Sequence, residues 1–354
     1  MRGTRIGLSG LAAAAVAVTA VLAAHGARLA ADAVPQGTAV ARSAAVPQPA
    51  VPDPRAADPA AQAELSAKPG SYLGVFVPGA PESYAGLAAF SAATGVRPGL
   101  EVYYSGWYEP FSASFAATAA SHGAVAVVQI NPTHISLAAI VAGDYDTYLR
   151  DYALSVRAYG GPVVLSFGHE MNGPWYSWGS GHDAPALFVA AWRHLVTLFR
   201  VEGAHNVTWL WTVNVANPHA GIPYPAPWWP GRAYVTWVGI DGYFYAANQK
   251  FDSVFARTIQ AVRALSDDPV LVAETSVIAS SAGQATEIPD MFAGVHRYGL
   301  LGLVWFDAVG TEDWRLRSGP AQVAFSQAAQ RFALMVPPAA ARPDQAVTVI
   351  SGGR

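Results

Sequence analysis

Between residues 71 and 336 the chain alternates short apolar runs with longer segments whose apolar positions recur every three or four residues. The short runs lie at 72–77, 100–104, 125–130, 163–167, 207–213, 238–244, 270–274 and 302–306. Most lack polar alternation, as expected of strands whose sheet is covered on both faces. The longer segments carry helix start signals and a stripe. After Asp144 the stripe is Tyr145, Tyr148, Leu149, Tyr152, Val156 and Tyr159, closed by Gly160 and Gly161. After Asp183, with Pro185 in the first turn, it is Leu187, Ala191, Leu195 and Leu198; after Asp252 it is Phe255, Ile259, Val262 and Leu265. Eight strands with helical patterns between them in about 265 residues predict an α/β chain closed into a single (β/α)8 TIM barrel, the catalytic domain, over 70–336. A doubly wound open sheet is the rival, and no Gly-x-Gly-x-x-Gly follows the first run to support a dinucleotide site.

The flanks have a different texture. Residues 1–33 read as an export signal: Arg2 and Arg5, an uncharged run over 6–24, then small residues where a peptidase can cut. That run is about as long as a bilayer span, so retention as an N-terminal anchor facing outward is the alternative to a secreted protein. Residues 34–69 are rich in Ala and Pro without a sustained period, which predicts a linker, and 337–354 read as a flexible tail.

Composition narrows the partners. A net charge of −3 with only 13% charged residues argues against a nucleic-acid binder. With no Cys there is no disulfide, which a large core makes dispensable. Eleven Trp and fifteen Tyr exceed what core filling needs, so some are expected to line a groove.

Catalytic groups of such a barrel sit at the C-terminal ends of its strands. There the chain places Tyr103 to Glu109 after the second strand and His134 after the third. The fourth is followed by His169, Glu170, Asn172, Trp175 and Trp178, and the fifth by Asn214 and a long loop to Tyr234, the expected wall of the cleft. Asp241 and Tyr243 belong to the sixth, Glu274 ends the seventh, and Trp305, Phe306 and Asp307 end the eighth. A lone Glu at a strand end serves as readily in an ion pair. Glu170 and Glu274, on strands that face each other across the rim, form the carboxylate pair that acid/base cleavage of a glycosidic bond requires. Asp241, Asp307 and Asp313 read as turn or ion-pair residues, and Trp192, Trp209 and Trp237 as packing. Metal and cofactor chemistry are not expected: Gly173 stands where a zinc-protease helix needs its second His, and no Gly-x-Ser-x-Gly supplies a nucleophilic serine.

The segment His169, Glu170, Met171, Asn172, Gly173, followed by Trp175, Tyr176, Ser177 and Trp178, resembles the acid/base region of glycoside hydrolase family 26. That family holds β-mannanases with some β-1,3-1,4-glucanases and β-1,3-xylanases. Ser136 and Leu137 with Gly143 to Asp146, Trp229 to Gly231 leading to Trp237 through Tyr243, and Trp305 and Phe306 with Asp313 to Arg315 extend the resemblance over roughly 72–335. It implies that Glu170 is the general acid/base and Glu274 the nucleophile, with retention of configuration and no cofactor. It implies that Tyr243 bonds the nucleophile, that His169 contacts the sugar or orients Glu170, and that Trp175 and Trp305 line the cleft. His134, Asn172, Trp107 and Trp178 are expected to touch sugar from their strand-end positions. The family follows its nucleophile with an aromatic residue and Gly, whereas Thr275 and Ser276 follow Glu274 here. The resemblance implies an exported endo-acting enzyme on a polysaccharide, β-1,4-mannan or a related β-glycan. The competing expectations are a carbohydrate-binding barrel without catalysis and a membrane-tethered factor that processes the cell's own glycan.

Overall fold

A computed structural model of the chain describes residues 65–281 and 283–335. The expected signal or anchor, nearly all of the linker and the tail lie outside the described residues. Eight parallel strands close in sequence order into a barrel, the last pairing with the first. They are β1 (Tyr72–Phe76), β2 (Leu100–Gly106), β3 (Val125–Asn131), β4 (Val163–Phe167), β5 (Val207–Asn214), β6 (Trp237–Asp241), β7 (Val270–Thr275) and β8 (Gly302–Phe306). Around them run α1 (Ala85–Thr94), α2 (Ala113–Ser121), α3 (Leu137–Ala142), α4 (Asp146–Tyr159), α5 (Pro185–Val201), α6 (Phe251–Arg263), α7 (Gln284–Arg297) and α8 (Gly319–Met335).

The side-chain period of two explains why the strands look uniformly apolar. Val102, Val127, Val164, Leu210, Leu271 and Val304 fill the barrel interior. Their neighbours Tyr103, Val128, Leu165, Trp211, Val272 and Leu303 face the helix layer. Trp192 and Trp209 belong to that outer core, while Trp237 is buried in the inner one. Closure needs glycine at one place: a Cβ on Gly302 would lie 1.7 Å from the carbonyl oxygen of Tyr72 on β1. Gly239 is similar inside the barrel, where a Cβ would meet the Thr212 hydroxyl at 2.6 Å, directly below the mouth.

The helices follow their stripes. In α4, Leu149, Tyr152, Ala153 and Val156 are buried, and Gly160 closes the helix in the left-handed region at φ 72°. In α5, which has Pro185 in its first turn, burial centres on Phe188, Ala191, Trp192, Leu195 and Phe199. α6 begins at Phe251, so Asp252 sits in the first turn, where the helix dipole favours an acid.

Two connections depart from expectation. β6 ends at Asp241 and not at residue 244: the β6–β7 register shifts there, and the Asp241 carbonyl accepts instead from the amide of Val215 at 2.8 Å. The β5–β6 connection holds no α-helix. Three one-turn 3₁₀ helices, Pro218–Ala220, Ala226–Trp228 and Arg232–Tyr234, stand in its place. Pro218, Pro223, Pro225, Pro227 and Pro230 forbid a continuous helical ladder. The segment still covers the barrel, because Trp228 is buried, Trp229 packs edge-on to Trp211, and α5 grips it through Trp192 Nε1–Tyr234 O (3.0 Å) and Arg193 Nε–Pro230 O (2.7 Å).

Candidate active site

Simple alternation aims Glu170 into the mouth but would turn Glu274 away from it. On β4, Ser166 faces inward and Phe167 outward, after which Gly168 (φ 56°) and Glu170 (φ 54°) both turn left-handed. The non-glycine residue bears strain of about 1–3 kcal/mol, which neighbouring bonds must hold in place. They are Glu170 N to Thr212 O on β5 (2.9 Å) and Gly173 N to Glu170 O (2.8 Å). On β7, Leu271 and Ala273 face inward, so Glu274 should face out. Ile240 pairs with Val272 and Asp241 with Glu274, which leaves one extra β7 residue and rotates Glu274 into the mouth.

Glu170, Asp241 and Glu274 thereby converge, each presenting an oxygen within 4.8 Å of the other two, and all three are buried. Glu170 accepts from Trp175 Nε1 at 2.8 Å on one oxygen and from the Asn214 amide on the other. Glu274 accepts from the Tyr104 hydroxyl and, at 2.6 Å, from the Tyr243 hydroxyl. Neither oxygen of Asp241 has a hydrogen-bond partner among the described residues. Three carboxylates this close cannot all be charged. Burial, and then the charge of Glu274, push Glu170 up to about 8. Burial also raises Glu274, but the two tyrosine hydroxyls oppose that, so the negative charge settles there. Asp241, with burial and two acidic neighbours raising it and no side-chain donor, holds a proton.

Among the described residues these three are the ones that could hold a metal ion. Both oxygens of each glutamate already accept from an N–H or O–H donor, an arrangement that tunes their protonation.

Other expected site residues fall in three groups. Trp175 and Tyr243 touch the glutamates and are half-buried at the mouth. His169, Asn172 and Trp178 lie behind it and are corrected to positioning roles. His169 is buried; its Nδ1–H donates to Asn131 Oδ1 (3.0 Å), its Nε2 accepts from the Tyr176 hydroxyl (3.2 Å), and burial lowers its pKa to about 3, so it is neutral. Trp178 is buried, stacks on Tyr176 at 4.3 Å and donates to the His169 carbonyl. Asn172 spends its amide on the Asn214 carbonyl, the Asn214 amide and the Pro223 carbonyl, fixing the residue that holds Glu170. Trp305 is corrected outright: it faces the helix layer, fully buried, edge-on to Phe325 of α8 at 5.3 Å. Its expected place beside Tyr243 is taken by Trp314, which packs 4.6 Å from that tyrosine and whose carbonyl accepts from Ser276 at 2.6 Å. His134 is exposed on the β3–α3 loop and Trp107 packs on Tyr145 and Tyr148, both on the same rim but without a bond to the carboxylates.

Tyr104, Asn214 and Asp241 were the residues missed. Each continues an inward alternation, Leu100–Val102–Tyr104, Leu210–Thr212–Asn214 and Trp237–Gly239–Asp241, and that period carried the signal. Asp241 is therefore corrected from a turn residue to a member of the acidic cluster. Asp313 does form the expected ion pair, to Arg315 at 2.8 Å.

The (β/α)8 barrel with paired buried glutamates at the C-terminal ends of β4 and β7 has the architecture of a carboxylate-pair glycosidase. The sequence model described as glycosyl hydrolase family 26 matches residues 135–286, which include Glu170, Asp241 and Glu274. Endoglucanase H of Acetivibrio thermocellus is 29% identical over 270 residues, covering 72% of this chain and 30% of the relative. A beta-1,3-xylanase of Vibrio sp is 29% identical over 116 residues, 32% of this chain and 24% of the relative. The chain thus spans less than a third of the length of these curated relatives. The modular endo-beta-1,4-mannanase of Cellulomonas fimi shares the fold, with a TM-score of 0.59, 16% identity, and coverage of 75% of this chain and 71% of that one. The family model covers under half of this chain, and over residues 135–286 the chain is similar to glycoside hydrolase family 26.

A pH profile checks the electrostatics. A general acid at Glu170 must carry its proton, so kcat/KM is expected to fall about tenfold per pH unit as pH rises past about 8. Because folding raises this carboxyl from 4.5, its contribution to stability is full below about pH 4.5 and is lost as pH rises through about 8. Glu170→Gln should therefore melt higher than the parent at pH 8 and no higher at pH 4. An unchanged melting difference between those two pH values would contradict the proton placement.

Proposed function

We propose that the protein hydrolyses a β-linked polysaccharide, β-1,4-mannan or a related β-glycan, endo-wise and with retention of configuration. The observation that carries this reading is the approach of Glu170 and Glu274 oxygens to within 4.8 Å. Retaining pairs stand about 5–5.5 Å apart, whereas an inverting pair needs about 6.5–9.5 Å to admit water. Protonated Glu170 gives its proton to the leaving glycosidic oxygen while ionised Glu274 attacks the anomeric carbon. The bond to the leaving group breaks as the Glu274–carbon bond forms, giving a covalent glycosyl ester. Glu170, now a carboxylate, takes a proton from water, which attacks the same carbon and returns Glu274. Tyr104 and Tyr243 hold Glu274 in place and charged for the attack, and Trp175 and Asn214 fix the swing of Glu170.

The names of the relatives, an endoglucanase, a xylanase and mannanases, support a β-glycan as the substrate class. The test is release of new reducing ends from a panel of mannan, mixed-linkage glucan and xylan by the full chain. NMR of the first anomer released tests retention, and prompt appearance of the inverted anomer would refute it. Glycan binding with no new reducing ends from any member of the panel would favour a binding barrel. Arg2, Arg5 and the uncharged run over 6–24 support export, with fractionation of the full-length protein separating a released enzyme from an anchored one.

A further inference from the structure

We propose that Tyr108, on the turn between β2 and α2, is the platform of a distal sugar subsite that stacks on a pyranose ring of the bound glycan. This rests on the glycan-hydrolase reading above. Tyr108 is 63% exposed, the largest exposure among the aromatic residues the structure leaves open, and its backbone is left-handed at φ 70°. An exposed ring on a strained, non-glycine residue is held where local energy alone would not place it. The turn supplies the restraint. Glu109 caps the amide of Gly106 with its carboxylate at 2.6 Å and bonds the Gly106 carbonyl through its own amide at 3.2 Å.

The ring itself is braced from beneath. Tyr145 and Tyr148 lie edge-on to it at 6.1 and 5.4 Å, and the Tyr148 hydroxyl donates to the Glu109 carbonyl at 3.2 Å. Trp107 packs on the same two tyrosines and reaches Phe167 at the end of β4. One face of the cluster is thus anchored to the strand that leads to Glu170. Tyr104, four residues earlier on the same strand, bonds Glu274, and four residues of chain span at most about 14 Å. Tyr108 therefore stands at the same C-terminal end of β2 as a residue that bonds Glu274, no more than about 14 Å of chain beyond it, within reach of a neighbouring sugar of the same glycan. An aromatic face fixed before binding suits the C–H-rich face of a pyranose and costs little ordering on contact.

The test compares Tyr108→Gly, which accepts the left-handed backbone and removes the ring, with Tyr108→Phe, which keeps it. Binding to soluble β-glycan is measured in a Glu274→Ala background, and KM in the active background as a function of chain length. Tyr108→Gly should weaken binding to long chains about fivefold to tenfold and raise their KM by the same factor, the loss shrinking as chains shorten. Tyr108→Phe should restore both. A KM for long chains that Tyr108→Gly leaves unchanged in an active parent overturns this inference alone. A parent that neither cleaves nor binds any β-glycan overturns the proposed function, and this inference with it.

Discussion

Alanine at Glu274 is expected to lower hydrolysis of any glycan by at least about 10⁴-fold while the barrel stays folded, because no other group can form the covalent ester. Glu274 is fully buried and bonded by two tyrosines, so its removal frees Tyr104 and Tyr243 but leaves their rings packed on Phe76 and Trp314. Alanine at Glu170 should behave differently in a way that separates the two roles. A polysaccharide leaving group needs a proton, so turnover falls by a comparable factor. An aryl glycoside with an acidic phenol leaves without one, so its first step survives and the glycosyl-enzyme accumulates. A rapid burst of phenol followed by slow turnover is the expected trace for Glu170→Ala, and no burst for Glu274→Ala. The same slow trace from both variants would remove the distinction between acid and nucleophile.

Trp305→Ala should be the most damaging substitution for stability, at about 3–5 kcal/mol, the usual range for deleting a large buried aromatic. In a domain of this size that corresponds to a fall in melting temperature of roughly 6–20 °C. The reason is its place between β8 and Phe325, where no solvent can fill the gap. The surviving folded fraction should keep its KM for glycan. Trp175→Ala should show the opposite pattern, since its indole is half-buried and donates to Glu170. Losing that donor removes a bond to the charged form, so the basic limb of the pH profile should move upward while the melting temperature changes little. Differential scanning calorimetry with a pH–rate series distinguishes the two. A Trp305 variant that melts like the parent but loses affinity would return that indole to the cleft.

The barrel was legible because buried parallel strands leave a nearly unbroken apolar signature, and eight such runs with helical stripes between most of them allow few other closures. The pair Glu170 and Glu274 was legible from strand-end position. Glu170 also keeps the inward parity of Val164 and Ser166, but how Glu274 is aimed was not legible. That depends on a single extra residue in β7, a feature of register that neighbouring strands decide and a one-dimensional pattern does not record. The same limit explains Trp305, whose strand-end position is identical to that of a cleft residue but whose parity sends it to the helix side. Tyr104, Asn214 and Asp241 were readable in principle by counting two residues at a time from Val102, Thr212 and Gly239. The absent helix after β5 was announced by its prolines.

That proline-rich connection has a consequence for how substrate is received. Each of its prolines narrows the conformations open to the unfolded chain, so the segment loses less entropy on folding than an ordinary loop of equal length. Asn172 then pins it at the Pro223 carbonyl, next to the residue that holds Glu170. One side of the cleft is therefore set before any glycan arrives, and binding there should show the small heat-capacity change of contact with a rigid surface, without the larger change of a loop that folds around its ligand.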